Sequence, residues 1–240
     1  MTPPPEIGPR PGWLLDELGS AGRENLDPAH VARYDEKEDA DAAAEVALLE
    51  GLGLGPDSTL VELGPGTGQF TLAAAGRCRR LVAVDVSAPM LERLGGKLAA
   101  AGVENVEVVR AGFLSYEHAG PPADFAYSRY ALHHLPDFWK AVALARLRAL
   151  LRPGGVLRLW DVVFDFEPAA AGARIEAWCA SGGESAEGGW SRAELEEHVR
   201  DEHSTFTWLL EPLIERCGFA IEAAERSEDG IFARYVCRAA

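Results

Sequence analysis

From Gly55 onward the chain alternates short apolar runs with amphipathic stretches. The apolar runs Thr59 to Leu63, Arg80 to Asp85, Val106 to Val109, Asp124 to Tyr127 and Val156 to Trp160 are short, the signature of strands buried on both faces. Between them, Gly68 to Ala75, Ala88 to Ala101 and Pro136 to Leu151 carry helical spacing of apolar positions. Strand and helix alternating in this way predict an open, doubly wound α/β sheet, on which ligands bind beyond the carboxyl ends of the strands.

The flanks differ. Residues 1–12, MTPPPEIGPRPG, hold five prolines and two glycines, so regular backbone hydrogen bonding is denied and a flexible tail is expected. Trp13, Leu14, Leu15 and Leu18 fit one face of a short docking helix, and a longer helix is predicted over Lys37 to Leu52, with Gly53 just past its end. Residues 13–54 thus read as a helical N-terminal lid, and 55–240 as the Rossmann-like domain with an insertion at about 165–190. Within the insertion, Ala170 to Cys179 is helix-like and SGGESAEGG reads as a mobile loop. Ser191 with Glu194 three residues on is a capping box, and Trp208 to Cys217 is a further helix. Phe219 to Arg226 and Ile231 to Val236, joined by SEDG, predict an antiparallel hairpin that closes the sheet.

Composition narrows the class of partner. With 38 acidic against 23 basic side chains the formal charge is −15, a field that repels polyanions, so nucleic acid is not an expected partner. Arg77, Arg79 and Arg80 form the one tight basic cluster and read as a solvated edge. Cys78, Cys179, Cys217 and Cys237 lie far apart, without C-x-x-C or zinc-ligand spacing, and read as reduced thiols. No stretch reaches the roughly 20 apolar residues needed to span a bilayer, and the amino terminus lacks a signal-peptide core, so a cytoplasmic protein without membrane association is expected. A homodimer is compatible with this composition.

The chemistry concentrates in VELGPGTGQF. A strand runs into a turn containing Gly64, Gly66 and Gly68, where small residues let the backbone approach a ligand and the next helix presents its N–H groups. The following strand, VAVD, ends in Asp85, a carboxylate placed to accept both hydroxyls of a ribose. A dinucleotide turn would need its third glycine at position 69, which is Gln69, so the spacing favours a nucleoside cofactor without a pyrophosphate.

Through VELGPGTG, VAVDVSAPML, FAYSRYALHHLPD and LRPGGVLRLWD, in that order over roughly residues 55–165, the chain resembles the class I S-adenosylmethionine-dependent methyltransferases. The resemblance implies a Rossmann-like seven-stranded sheet, mostly parallel with an antiparallel last strand, and S-adenosyl-L-methionine as cofactor. It implies that Glu62 and the glycine turn face the methionine end, Asp85 holds the ribose, Val86 and Met90 flank the adenine, and Ala111 to Phe113 meet its edge. Gly112 and Phe113, Tyr34 in the lid and Ser128 in the third motif complete the expected cofactor set. One departure stands out: many members carry an acidic residue near position 112, where this chain has Gly112.

Methyl transfer needs in-line approach of a nucleophile to the sulfonium methyl, and a base only for poorly ionised acceptors. His133 and His134 lie in the loop where the family keeps groups near the transferred methyl and either can take a proton; the competing reading is that they cap and pack the next helix. Asp161, at the carboxyl end of the fifth strand, is placed to orient a substrate hydroxyl or amine, against a capping role. Arg129 and Tyr130 suit an acidic or aromatic substrate, against loop packing. His30, His118, His198 and His203 read as surface or packing residues; His198 has Glu194 and Glu202 one turn away, but His203 leaves that face and no metal triad is expected. The expected activity is methyl transfer to a small organic acceptor under a lid formed by residues 13–50 and 165–190. A cofactor-binding partner or sensor without catalysis, and a nucleotide-dependent oxidoreductase, are the alternatives.

Overall fold

A computed structural model of the protein describes residues 11–22, 25–37, 41–183 and 189–240. The expected flexible tail falls, up to residue 10, outside the described residues, as do residues 184–188 of the glycine-rich loop.

The strands are β1 (Thr59–Leu63), β2 (Arg80–Asp85), β3 (Val106–Arg110), β4 (Ala123–Arg129), β5 (Leu151–Phe164), β6 (Thr205–Phe206), β7 (Phe219–Arg226) and β8 (Phe232–Ala239). They form one sheet in the order β3-β2-β1-β4-β5-β8-β7, with the short β6 paired parallel to the end of β5. β1 to β5 are parallel, β8 runs antiparallel to β5, and β7 antiparallel to β8, as the hairpin predicts. The helices are α1 (Pro28–Lys37), α2 (Ala42–Gly51), α3 (Gln69–Ala75), α4 (Ala88–Ala101), α5 (Asp137–Leu150), α6 (Ala171–Ser181), α7 (Arg192–Asp201) and α8 (Thr207–Arg216).

Alternation along the strands builds a core on each face. Val61 and Leu63 join Val82, Val84 and Ala126 on one side; Leu60 joins Ala83, Phe125 and Tyr127 on the other. Every residue of β1 is buried, which is why its sequence is apolar apart from Thr59 and Glu62. The chain moves outward from β1 to β3 and returns to β4 on the opposite side of β1, so the crevice at the carboxyl ends of β1 and β4 is the switch point where such sheets bind ligands.

Three expectations are corrected. Residues 13–18 form turns, not a helix: Leu14 and Leu15 both pack on the core, Trp13 is 73% exposed and stacks on Trp139 at 6.2 Å, and Glu17 is drawn inward. The expected 37–52 helix is α2, which starts only after Asp41, whose φ of 44° is left-handed, and the preceding α1 had not been expected. β5 starts earlier and runs later than Val156 to Trp160, and the two-residue β6 is too short for any period to reveal.

The N-terminal helices are fastened by charge. Arg158, in β5, holds Glu45 of α2 in a bidentate pair, Nε to Oε2 at 2.8 Å and Nη2 to Oε1 at 2.6 Å, with both side chains buried. Asp35 of α1 accepts from the Thr67 hydroxyl and pairs with Lys97 at 2.7 Å and Arg93 at 3.4 Å. The Arg77, Arg79 and Arg80 edge is paired as well: Arg77 with Glu50 at 3.4 Å, Arg79 with the Thr59 hydroxyl at 3.2 Å, and Arg80 with Glu107. Cys78, Cys179 and Cys237 are buried free thiols and Cys217 is partly buried. Among the described residues no helix is long and apolar enough to cross a membrane.

Candidate active site

The glycine turn leaves β1 with three residues in the left-handed region, Gly64 at φ 75°, Gly66 at 54° and Gly68 at 88°. Close packing reinforces the backbone requirement. A Cβ on Gly64 would lie 2.5 Å from that of Ala131, and one on Gly68 would lie 2.2 Å from Leu94 Cδ1. Gly66 is covered instead by the ring of Tyr34, whose Cε1 lies 3.4 Å from the position a Cβ would take. The lid tyrosine expected from the sequence therefore sits on the turn, and Asp35 beside it explains why: its pairs with Lys97, Arg93 and Thr67 pin α1 to α4 and to the glycine turn itself.

Asp85, at the end of β2, accepts from the Ser87 N–H at 2.8 Å and the Gly66 N–H at 3.3 Å, so the carboxylate and the turn are one hydrogen-bonded unit. Burial raises its pKa to about 6. Glu62 accepts from the Thr71 hydroxyl at 2.6 Å; burial, with the charge of Asp85 adding, lifts its carboxyl to about 8.

Three cavities adjoin at this crevice. One is lined by Asp85, Val86, Ala111, Gly112 and Phe113 with the edge of the glycine turn; a second by Glu62, Gly64, Gly66, Thr67 and Tyr127; the third, of about 350 Å³, by His30, Trp178, Trp190, His198, Glu202 and Phe232. Tyr34, Arg129 and Tyr130 line all three. Tyr130 holds a φ of 49° there, uncommon for a side chain of that bulk and characteristic of strained functional positions. The Arg129 guanidinium stacks 4.1 Å over Trp160 and 4.7 Å over Tyr130.

A carboxylate from elsewhere in the chain reaches position 112. Glu17, buried beneath the N-terminal turns, accepts from the Leu114 N–H at 2.9 Å and the Ser115 hydroxyl at 2.8 Å. Its Oε1 lies 2.3 Å from where a Cβ on Gly112 would be, so Gly112 is small because the Glu17 carboxylate fills the space its side chain would occupy. Gly112→Ala is expected to expel Glu17, costing about 1–3 kcal/mol through overpacking and weakening cofactor binding, which melting and calorimetric titration would each register.

On the other side of the crevice His133, buried in the turn Leu132–His134, gives its backbone N–H to Asp161 at 3.1 Å and its Nδ1–H to the other oxygen of the same carboxylate. Burial opposes a charge on this ring, but Asp161 and then Glu202 outweigh it and raise its pKa to about 10. His134, facing both the cavity at Asp85 and the large one, is held neutral by burial and by its charged neighbour, its pKa drawn down to about 3.

Several sequence expectations change here. Asp161 lies outside the linings of all three cavities and holds His133 and the Val162 N–H (2.8 Å), so it positions a histidine and does not face a substrate. Met90 is 1% exposed inside α4, and Ser128 is fully buried in β4 beside Leu63; neither lines the crevice. Gly68 contributes through the turn's backbone alone. His30 and His198, expected as surface or packing residues, line the large cavity, and His198 joins His133 and Glu202 in a cluster that helix spacing could not reveal because His133 arrives from another element. Glu17, Asp35, Trp178 and Trp190 had no local signal; Gly112 in the place of an acid was the one hint toward Glu17.

A glycine turn hydrogen-bonded to Asp85 at the switch point of a β3-β2-β1-β4-β5-β8-β7 sheet is a Rossmann-like architecture with a crevice suited to a nucleoside. Residues 60–155 match the methyltransferase domain family. An uncharacterized methyltransferase of Geobacillus kaustophilus is 30% identical over 168 residues, covering 70% of this chain and 72% of that protein. A ribosomal RNA small subunit methyltransferase A of Koribacter versatilis is 35% identical over 97 residues, 40% of this chain and 33% of that protein. Among solved structures, the N-methyltransferase NodS of Bradyrhizobium japonicum in complex with S-adenosyl-L-homocysteine superposes with a TM-score of 0.62 at 16% identity, covering 94% of this chain and 99% of that one. The chain belongs to the class I S-adenosylmethionine-dependent methyltransferases, and S-adenosyl-L-methionine is its cofactor.

Proposed function

We propose that this methyltransferase acts on a small organic acceptor held in the large cavity. The observation that carries the reading is the meeting of the three cavities at Tyr34, Arg129 and Tyr130. Glu62 and the glycine turn would hold the methionine end of the cofactor, and Asp85, Val86 and Phe113 its adenosine, which would leave the sulfonium methyl toward that junction. Glu17 then supplies the carboxylate at the adenine edge that position 112 lacks.

When bound, S-adenosyl-L-methionine would supply an electrophilic methyl for the acceptor's lone pair, with the carbon–sulfur electrons leaving on a neutral thioether. Alignment of the two partners is the main contribution asked of the protein, worth up to about 7–11 kcal/mol in favourable intramolecular cases. The walls favour a planar acceptor: Trp178, Trp190, Phe232 and Tyr130 offer aromatic faces, and His134 a neutral imidazole at the junction.

An RNA acceptor is the competing reading, raised by the ribosomal RNA relative. A formal charge of −15 opposes it, since binding would gather phosphates against an acidic surface. The test is calorimetric titration with S-adenosyl-L-methionine, followed by a search for S-adenosyl-L-homocysteine with panels of phenols, amines, carboxylic acids and RNA. Product with a small molecule is the expected outcome. Product with RNA alone, or cofactor binding with no product at all, would overturn the acceptor assignment, the latter in favour of a sensor.

A further inference from the structure

Three donor atoms from two separate parts of the chain converge on the wall of the large cavity. His133 Nε2, His198 Nδ1 and Glu202 Oε2 all lie within 4.8 Å of one another. Glu202 Oε2 is 2.9 Å from His133 Nε2 and 2.5 Å from His198 Nδ1. Both imidazoles thus turn a ring nitrogen toward this one buried carboxylate oxygen. We propose that His133, His198 and Glu202 bind one divalent transition-metal ion of the zinc class.

The surroundings of the two imidazoles support this assignment. In metal sites the ring nitrogen that does not touch the ion is held by an outer partner, which fixes tautomer and orientation. His133 Nδ1 donates to Asp161, and His198 Nε2 lies 2.8 Å from Ser204 Oγ. Each ring is therefore anchored through one nitrogen and turns the other toward the same carboxylate oxygen. Bonds of about 2.0–2.2 Å to a common ion place neighbouring donors about 3 Å apart, close to the separations here. Two imidazoles and one carboxylate suit zinc, cobalt or iron(II) better than the harder magnesium or calcium, and three protein ligands leave positions open.

Those open positions face the cavity, which all three residues line. An oxygen or nitrogen of an acceptor bound there could complete the coordination, a point that rests on the acceptor reading above; the metal site itself does not. The ion would also tie the end of α7 to the turn after β4, two elements that otherwise meet here through the His203 N–H to His133 carbonyl bond at 2.9 Å.

The test uses the full chain stripped with a chelator, titrated with zinc by calorimetry and with cobalt by visible absorption. One equivalent should bind, with cobalt d–d bands. His198→Ala and Glu202→Gln should each weaken binding at least tenfold, and Ser204→Ala, which removes an outer partner only, by roughly 10- to 100-fold. His118→Ala, beside Tyr116 and outside all three cavity linings, should leave affinity unchanged. Circular dichroism checks each fold, and if the ligand variants fail to fold, Ser204→Ala decides. Absence of binding, or binding that the ligand variants or, in their absence, Ser204→Ala leave unaltered, would overturn the site. A chain that binds cobalt yet methylates no small molecule keeps the site and loses only the acceptor reading.

Discussion

Glu45→Ala is expected to destabilise the fold by about 3–5 kcal/mol, because it strands the Arg158 guanidinium in the core. The bidentate pair, at 2.8 and 2.6 Å, is buried on both sides, so no water replaces the lost carboxylate. For a chain of this size such a loss lowers the melting temperature by roughly 6–20 °C, which a thermal scan resolves. The cost belongs to the orphaned charge more than to the attraction itself. Accordingly the double change Glu45→Leu with Arg158→Met should recover most of the stability and even exceed the parent, as apolar replacement of buried pairs often does by about 1–4 kcal/mol. A single mutant that melts within a degree or two of the parent would mean that α2 is not held to β5 through this pair.

The second large effect concerns the cofactor. Asp85→Ala should weaken S-adenosyl-L-homocysteine binding by about 1.5–3 kcal/mol, roughly 10- to 150-fold, through loss of hydrogen bonds to a charged acceptor. The same carboxylate holds the Gly66 N–H at 3.3 Å, so part of the loss will come from a loosened turn. Asp85→Asn, which keeps the shape and removes the charge, separates the two contributions. A pH series adds a sign. Burial raises Asp85 to about 6, and on the proposed reading the ribose hydroxyls donate to its ionised form. Affinity should therefore hold above pH 6 and fall as the pH drops through it, while Asp85→Asn should lack that step. Affinity unchanged by Asp85→Ala in a folded protein would remove Asp85 from the ribose site.

What the sequence determined by itself is local or periodic. The apolar runs at 59–63 and 80–85, the turn glycines at 64, 66 and 68, the Ser191 and Glu194 capping box and the final hairpin each depend on residues close in the chain, and they reappear in place. The class of cofactor followed from that turn and Asp85, because the backbone approach and the carboxylate are both carried by short segments. Tertiary structure decided the rest. Glu17 reaches Leu114 across 97 residues, Arg158 reaches Glu45 across 113, and His133 meets Asp161, His198 and Glu202 from separate elements. Such contacts leave no period, since any surface-seeking charged side chain looks the same in sequence whether water or a buried partner finally receives it. The same physics misread residues 13–18 as a helix and Asp161 as a substrate group. Where a side chain's partner lies far along the chain, only the packed sheet determines whether it builds the core, seats the cofactor or faces the acceptor.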